Sequence, residues 1–178
     1  MTKRIIVGVC GGIAAYKTAM FVSRLVQRGF DVSVVMTKSS KEFVGPSTFA
    51  ALCSRQPIFD VFDSRFPRGA HIELAESSDL LVIAPATARI MASCAHAMAD
   101  DLLATLYLHF EGPVLMAPAM STPMWEKSAV QRNREQLIDD GVLMVGPEAG
   151  WLSCRRTGIG RMAEPEQILQ VIDEILKS

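Results

Sequence analysis

The sequence predicts one α/β domain, built as a doubly wound parallel sheet with helices on both faces. The first observation is a strand–helix–strand unit over residues 4–36. The second is a pair of short, unbroken apolar runs at 79–84 and 113–117, which are typical of parallel strands buried on both faces. The third is length, because 178 residues suit a single domain with a substantial core, which we assign to residues 1–178.

Local patterning defines the opening unit. Residues 4–10 form a strand rich in Ile and Val, and Gly11-Gly12 turns the chain into a helix over 13–28 with apolar residues at helical spacing. Gly29 ends this helix, and residues 31–36 form the second strand. Such a unit opens Rossmann-like and flavodoxin-like domains, which are the fold class that we predict.

The later elements continue the alternation of strands and helices. They are, in order, short helices 39–44 and 46–53, an irregular segment 56–68, strand 79–84, helices 88–98 and 100–110, strand 113–117, helix 128–140, strand 142–145 and helix 165–176. Residues 147–160 are Gly-rich and are predicted to be a loop. A loop of this length in a compact domain is usually either a functional lid or a disordered segment.

Composition and charge narrow the class of protein. A net charge of −1 favours neither nucleic acid nor an anionic membrane as a partner. The four cysteines have no metal-ligand spacing, so no metal is expected. The first apolar segment, IIVGVC, is too short for a signal peptide or a membrane span, which predicts a cytoplasmic protein. A mean hydropathy of +0.24 suggests that apolar surface packs against other subunits.

Three predicted strands end in small or hydroxyl-bearing residues. The segment 11–17 (GGIAAYK) joins a strand to a helix start, where backbone N–H groups can bind a phosphate; a tight turn without a ligand is the alternative. Thr37-Lys38-Ser39-Ser40 can contact phosphate oxygens or cap a helix. Pro85-Ala86-Thr87-Ala88 lets a flat ring approach the backbone, or is simply a packed turn. Together they favour a planar cofactor that carries a phosphate.

A fourth strand exit, VLMAPAMSTPMW at 114–125, is rich in Pro and Met and ends at Trp125. Such a turn provides an apolar, polarizable surface at the carboxyl end of a strand, where ligands of open parallel sheets bind. Ser121 is a polar residue in the middle of that surface.

Two further residues are candidates for chemistry. His71, in GAHIEL, lies at the start of a short helix and can act as a base, although a lone histidine is more often structural. His96 and His109 lie in apolar helical stretches and are expected to pack in the core or at an interface. Cys154 is flanked by arginines and glycines, as a reactive thiol on a mobile loop would be, or it is an exposed cysteine beside an anion-binding patch.

Six landmarks occur in one order along nearly the whole chain. They are the glycine turn 11–17, TKSS at 37–40, HIEL at 71–74, APATA at 84–88, PAMSTPMW at 118–125 and SCRRTGIGRMAEP at 153–165. In these landmarks the chain resembles the homo-oligomeric flavin-containing cysteine decarboxylases. That family includes phosphopantothenoylcysteine decarboxylases of coenzyme A biosynthesis and peptidyl-cysteine decarboxylases of ribosomal peptide pathways.

The resemblance implies an FMN cofactor and a set of residues around it. The cofactor-binding residues that it implies are Gly11, Gly12, Ile13, Thr37, Lys38 and Ser39 near the phosphate, and Pro85, Thr87, Ala88, Arg89 and Met120 near the isoalloxazine. The substrate-binding residues that it implies are Ser121, Met124, Arg155, Gly158, Gly160, Arg161 and Met162, with a substrate-clamp loop at about 147–162. Trimers, often stacked into dodecamers with FMN between subunits, are the implied assembly.

The implied chemistry is oxidative decarboxylation of a terminal cysteine. His71 is the implied base that assists oxidation of the substrate thiol by flavin, after which CO2 leaves readily. In the coenzyme A enzymes a cysteine matching Cys154 helps to return electrons and give a saturated thiol; the peptide enzymes stop at the enethiol and need no such cysteine.

Three positions depart from the family pattern. Ser121 stands where the family has an asparagine that holds the substrate carboxylate, Arg89 stands where the flavin-side motif has asparagine, and Arg155 stands where the loop has glycine. Cys154 favours phosphopantothenoylcysteine as the substrate. Ser121 and Arg89 keep open a peptidyl-cysteine decarboxylase, and Ser121 also keeps open an FMN-binding regulatory subunit without activity. A flavin prenyltransferase is disfavoured, because His71 and Cys154 belong to the cysteine decarboxylase pattern.

Overall fold

The fold is a five-stranded parallel sheet between two helical layers, as a computed structural model of residues 2–177 describes it. The sheet has the order β2-β1-β3-β4-β5. Its strands are β1 Arg4–Val9, β2 Asp31–Met36, β3 Leu80–Ala86, β4 Val114–Pro118 and β5 Leu143–Met144. This order is the flavodoxin-like one, so the predicted fold class is confirmed.

Eight helices connect and flank the strands within the described residues. They are α1 Ala15–Gln27, α2 Pro46–Cys53, α3 Ala70–Glu76, α4 Ala88–Ala95, α5 Leu102–His109, α6 Thr122–Trp125, α7 Ser128–Asp139 and α8 Pro165–Ile175, with a 3-10 helix at Lys38–Glu42. The short helix α6 was not predicted, since four residues are too few to show helical periodicity.

Two apolar clusters form the core, one on each face of the sheet. On one face, Phe21 of α1, Phe49 of α2 and Ile172 of α8 pack together and are fully buried. On the other face, Ile90 of α4 and Leu103 of α5 pack in the same way. All seven residues of β3 are buried, which explains the unbroken apolar run that predicted a central strand.

The order in which the chain adds strands to the sheet reverses between β1 and β3. The connection from β1 leads outward to β2, whereas β3 lies on the opposite side of β1. In open α/β sheets, such a switch point leaves a crevice at the carboxyl ends of the two strands, where ligands bind. The residues that follow β1 and β3, namely Gly11-Gly12 and Thr87, are therefore placed at this crevice.

The predicted loop at 147–160 is instead an antiparallel hairpin. Strand β6 (Glu148–Trp151) pairs with β7 (Thr157–Arg161), with Gly150 opposite Gly158. This expectation was wrong because glycines occupy positions where a strand usually carries side chains, so the alternation typical of a strand is missing. The hairpin leads directly into α8.

Candidate functional site

The turn after β1 lies in close contact with the exits of β2 and β3. A Cβ atom on Gly11 would overlap the Ser39 side chain, and one on Gly12 would lie 3.7 Å from Thr87 Cγ2 and 3.9 Å from Pro85 Cγ. Position 11 therefore has room only for glycine. The three exits that the sequence singled out converge on one crevice.

Hydroxyl groups at the β2 exit divide into engaged and accessible ones. Thr37 is buried, and its Oγ1 donates to the Val9 carbonyl at 3.3 Å. Ser40 is also buried and donates to the Thr37 carbonyl at 2.8 Å. Ser39 and Lys38 are exposed. Thr37 and Ser40 thus shape the turn. The exposed Ser39 places its hydroxyl beside Gly11 and 3.4 Å from Thr37 Oγ1.

The β3 exit begins with a cis Ala84–Pro85 peptide bond and continues to Thr87, the residue before α4. Thr87 makes no side-chain cap to α4. It does form a hydrogen bond with Cys10, which burial keeps neutral by raising its pKa to about 12. Cys10 is therefore a structural thiol beneath the crevice, and the half-buried Thr87 and Ala88 form its wall.

Arg89 lies at the edge of this wall, but its guanidinium is engaged by two carboxylates. It pairs with Asp100 Oδ2 at 3.2 Å and with Asp101. Asp101 in turn caps α5 by accepting from the Ala104 amide at 2.9 Å. This arrangement ties α4 to the start of α5 and favours a bridging role for Arg89 over the predicted contact with the cofactor.

The hairpin is anchored on the turn that follows β4. The Met120 amide donates to the Gly160 carbonyl at 3.0 Å, and Thr122 Oγ1 donates to the Ile159 carbonyl at 2.7 Å. A Cβ on Gly160, where φ is +140°, would overlap the Met120 carbonyl, and one on Gly158 would overlap Thr122. The predicted residues Met120, Gly158 and Gly160 are thus brought together. Thr122 was not predicted as a site residue from the sequence, although its hydroxyl in the STPMW segment could have indicated it.

Ser121 lies in the same turn and is half-buried. It precedes α6 without capping it, and its hydroxyl makes no hydrogen bond within residues 2–177. The adjacent Met124 is exposed, with 46% of its surface accessible. Both side chains are therefore accessible to a ligand.

The tip of the hairpin carries Cys154 and two arginines, all exposed. Arg155 has φ of +60°, a left-handed conformation that glycine adopts without steric cost. The turn is closed by the Arg155 amide, which donates to the Leu152 carbonyl at 2.9 Å. Cys154 is the one exposed cysteine among the four, so it is the thiol that a ligand can reach.

Two predicted substrate-binding residues at the end of the hairpin are engaged elsewhere. Met162 is 1% exposed and belongs to the core, and its carbonyl accepts from the buried Lys17. Arg161 pairs with Glu148 at 3.2 Å and with Glu164 at 3.7 Å. These contacts favour an anchoring role for both residues over direct contact with substrate.

His71, the second residue of α3, lies in a cleft of about 560 Å³. Phe62, Asp100, Asp101 and Thr105 are among the residues that line it. The Nδ1 atom of His71 is buried and has no hydrogen-bond partner among the described residues. Helix α3 packs against α5, whereas α6 packs against the hairpin, so different packing units carry His71 and the Met120–Ser121 turn.

A larger groove of about 800 Å³ runs along α1 and α2 and contains none of the predicted site residues. The strand exits are the candidate site, because the exposed Ser39 lies there, and so does Ser121, whose hydroxyl has no partner among the described residues. Within residues 2–177, no helix combines the length and the apolar character needed to cross a membrane. The same residues hold no cluster of His, Cys, Asp or Glu suited to a metal ion.

The fold and the crevice define a class of protein: a flavodoxin-like domain with a glycine-lined crevice at its β1/β3 switch point, the place where open α/β sheets bind ligands. Comparison with known proteins agrees with this class. The model of the Flavoprotein family matches residues 1–177, and the chain belongs to that family.

Relatives and solved structures are similar over most of this chain. The coenzyme A biosynthesis bifunctional protein CoaBC of Bacillus subtilis is 40% identical over 173 residues, which cover 97% of this chain but 43% of that protein. The chain thus spans less than half the length of the curated relatives it matches. The FMN-dependent cysteine decarboxylase SpaF is 32% identical, with a TM-score of 0.85 and coverage of 98% and 95% of the two chains. A mutant PPC decarboxylase in complex with pantothenoylaminoethenethiol is 26% identical, with a TM-score of 0.91 over the full length of both chains.

Proposed function

We propose that this chain is an FMN-dependent cysteine decarboxylase that converts phosphopantothenoylcysteine to phosphopantetheine in coenzyme A biosynthesis, in the cytoplasm. The observation that carries the proposal is the convergence of Gly11, Ser39 and Thr87 at the β1/β3 switch point, beside a turn that bears Ser121. The similarity to CoaBC proteins and to PPC decarboxylase supports this choice of substrate.

The crevice fits FMN. Gly11 and Gly12 leave backbone N–H groups at the start of α1 uncovered, and the positive end of a helix favours a phosphate. Ser39 would add a hydroxyl donor to that phosphate. The half-buried Thr87 and Ala88 would contact the isoalloxazine on one side, with the buried Pro85 behind them, and Met120 offers a polarizable thioether to the ring. When bound, FMN would supply the two-electron oxidation of the substrate cysteine.

The chain's own residues would orient the substrate and move protons. Ser121 would donate its free hydroxyl to the substrate carboxylate. His71 would accept a proton from the substrate at an imidazole nitrogen. The hairpin would cover the substrate and exclude water, because its base is fixed to the turn at Met120 and Thr122. Cys154, at the exposed tip, would supply a proton to the product when the two electrons taken from the substrate are returned to it.

A homo-oligomer, trimer or dodecamer, is part of the proposal. Large apolar side chains are exposed on the described chain, with 89% of Phe62, 65% of Trp151 and 56% of Ile13 accessible. Different packing units carry His71 and Ser121, and an interface between subunits would allow one copy to complete the site of another. Sedimentation or light scattering of the flavin-loaded protein measures this assembly.

A second candidate is decarboxylation of a peptide that ends in cysteine. Ser121 in place of the family's asparagine favours it, and so does the similarity to SpaF. An FMN-binding regulatory subunit without activity is the remaining alternative, and Ser121 motivates it as well.

A substrate comparison separates these candidates. Flavin-loaded protein is incubated with phosphopantothenoylcysteine and, in parallel, with peptides ending in cysteine, and mass spectrometry follows the loss of CO2. We expect phosphopantothenoylcysteine to be consumed and to yield the saturated thiol. Consumption of the peptides alone would shift the assignment to the peptide class. If neither is consumed, the decarboxylase proposal fails.

A further inference from the structure

We propose that His109 is a positioning residue that holds the imidazole ring of His71 in its working orientation. The proposal rests on the proposed function, in which His71 accepts a proton from the substrate. His109 itself needs no contact with substrate, and its part is to restrict the rotation of the neighbouring ring.

The two histidines meet where α3 packs against α5. His71 is the second residue of α3, and His109 is the last residue of α5. Their ring centroids are 5.7 Å apart and the ring planes are at 89°, an edge-to-face arrangement. Aromatic rings favour this geometry at this separation, so the contact holds both rings in a defined relative orientation.

Within residues 2–177, no hydrogen bond fixes the His71 ring. A catalytic imidazole is usually oriented by a partner that binds its second nitrogen. Here Nδ1 is buried without a partner among the described residues. The nearby carboxylates are engaged, Asp100 and Asp101 by Arg89 and Asp101 also by the Ala104 amide. The orientation of His71 must therefore come from packing.

Gly69 supplies the second packing contact. Its φ is +102°, and a Cβ atom there would lie 3.2 Å from His71 Cε1 and 3.5 Å from Nδ1. The imidazole thus lies against the Gly69 backbone as well as against the His109 ring. If the His109 ring is removed, the Gly69 contact remains, but the ring–ring contact that restricts rotation is lost.

Two variants of His109 separate the ring from its polar nitrogens. His109→Gln keeps polarity and removes the ring, whereas His109→Phe keeps a ring and removes polarity. His96→Gln is the matched control, because His96 bonds to Asn133 at 3.0 Å and belongs to a different helix junction. For the flavin-loaded variants, kcat and KM for phosphopantothenoylcysteine are measured. Peptide mass spectrometry measures the rate at which diethyl pyrocarbonate modifies His71.

We expect His109→Gln to lower kcat about ten-fold or more with KM changed less than about two-fold, because misorientation of a catalytic group affects the chemical step more than binding. Its His71 should be modified faster than in the wild type. His109→Phe and His96→Gln should keep near wild-type values of kcat and of the rate of His71 modification. The proposal would be overturned if His109→Gln had the wild-type kcat and the wild-type rate of His71 modification. It would also be overturned if His109→Phe were as impaired as His109→Gln. Should the wild type turn over no substrate, the proposed function fails, and the labelling rates alone still decide whether His109 holds His71.

Discussion

Individual residues at the strand exits differ in how much hydrogen-bonding capacity they leave for a ligand. Thr37 and Thr122 have their hydroxyls engaged by backbone carbonyls, whereas the Ser121 hydroxyl has no partner in the described chain. A hydroxyl offers a single donor, while the amide of an asparagine offers two. If Ser121 holds the substrate carboxylate as proposed, it would hold that carboxylate less firmly than an asparagine in its place.

Ser121→Asn is expected to raise kcat/KM for phosphopantothenoylcysteine about ten-fold or more, because one well-placed hydrogen bond in a dry site contributes roughly 10²–10³ in rate. Steady-state kinetics of the flavin-loaded variant provide the measurement. Ser128→Asn, on the exposed start of α7, is the matched control and should leave kcat/KM unchanged. An unchanged or lower kcat/KM in Ser121→Asn would show that Ser121 is not at the carboxylate.

At the scale of elements, the hairpin and the turn after β4 act as one unit. Gly160 is in a conformation that other residues rarely adopt, and its Cα faces the Met120 carbonyl. The hydrogen bond between the Met120 amide and the Gly160 carbonyl depends on this close approach. The hairpin is thereby held over Ser121.

Gly160→Ala is expected to lower the free energy of unfolding by about 1–3 kcal/mol, through the added contact with Met120 and the strained φ. Urea denaturation measures the loss. Hydrogen exchange of the Met120 amide should become faster, which locates the effect at the hairpin base. Gly45→Ala is the control, because a Cβ there meets no atom within 4 Å. Equal stability of Gly160→Ala and the wild type would contradict the anchored hairpin.

The sequence predicted the central elements well because local signals determine them. Unbroken apolar runs correspond to β3 and β4, and Gly11-Gly12 does mark the turn from β1 into α1. The fold predicted from these signals is confirmed, and so is the family that the six ordered landmarks resemble. The roles of single residues in the site stay predictions.

What the sequence missed depends on contacts between distant segments. The hairpin pairs Gly150 with Gly158, and no local period reveals such a pairing. The partners of Arg89 come from the start of α5, and the ring contact of His71 comes from its end. Met162 follows the hairpin in sequence but packs in the core. Contacts between distant segments determine all four of these features, so local sequence patterns could not predict them.

At the scale of the whole molecule, the core layer that contains Ile90 and Leu103 buries two ionisable thiols that the site does not use. Burial raises the pKa of Cys10 from its ordinary 9.0 to about 12, and burial also raises the pKa of Cys94. Both thiols are neutral in the folded state over a pH range in which the unfolded chain would ionise them. The folded state is therefore favoured below the unfolded pKa, and this advantage declines as pH rises.

The free energy of unfolding should fall above pH about 9 by about 1.4 kcal/mol per pH unit for each such thiol, since the unfolded state then binds one proton fewer than the folded state. For Cys10 the decline should continue to a pH near its raised pKa of about 12. Urea denaturation at several alkaline pH values measures the slope. Cys10→Ala should have a slope smaller by that amount, and Cys154→Ala, at an exposed position, should not. Equal slopes for the wild type and Cys10→Ala would contradict the buried, neutral thiol.

Titration of flavin-free protein with FMN tests the central claim, a phosphate-bearing cofactor at the β1/β3 switch point, most directly. Flavin absorbance and fluorescence should show saturable binding at a stoichiometry of one FMN per chain. Gly11→Ala should weaken this binding severely, because its Cβ would overlap Ser39, while Gly45→Ala should bind as the wild type does. Wild-type protein that shows no bound flavin when FMN is added would contradict the account, and so would undiminished FMN binding by a folded Gly11→Ala variant.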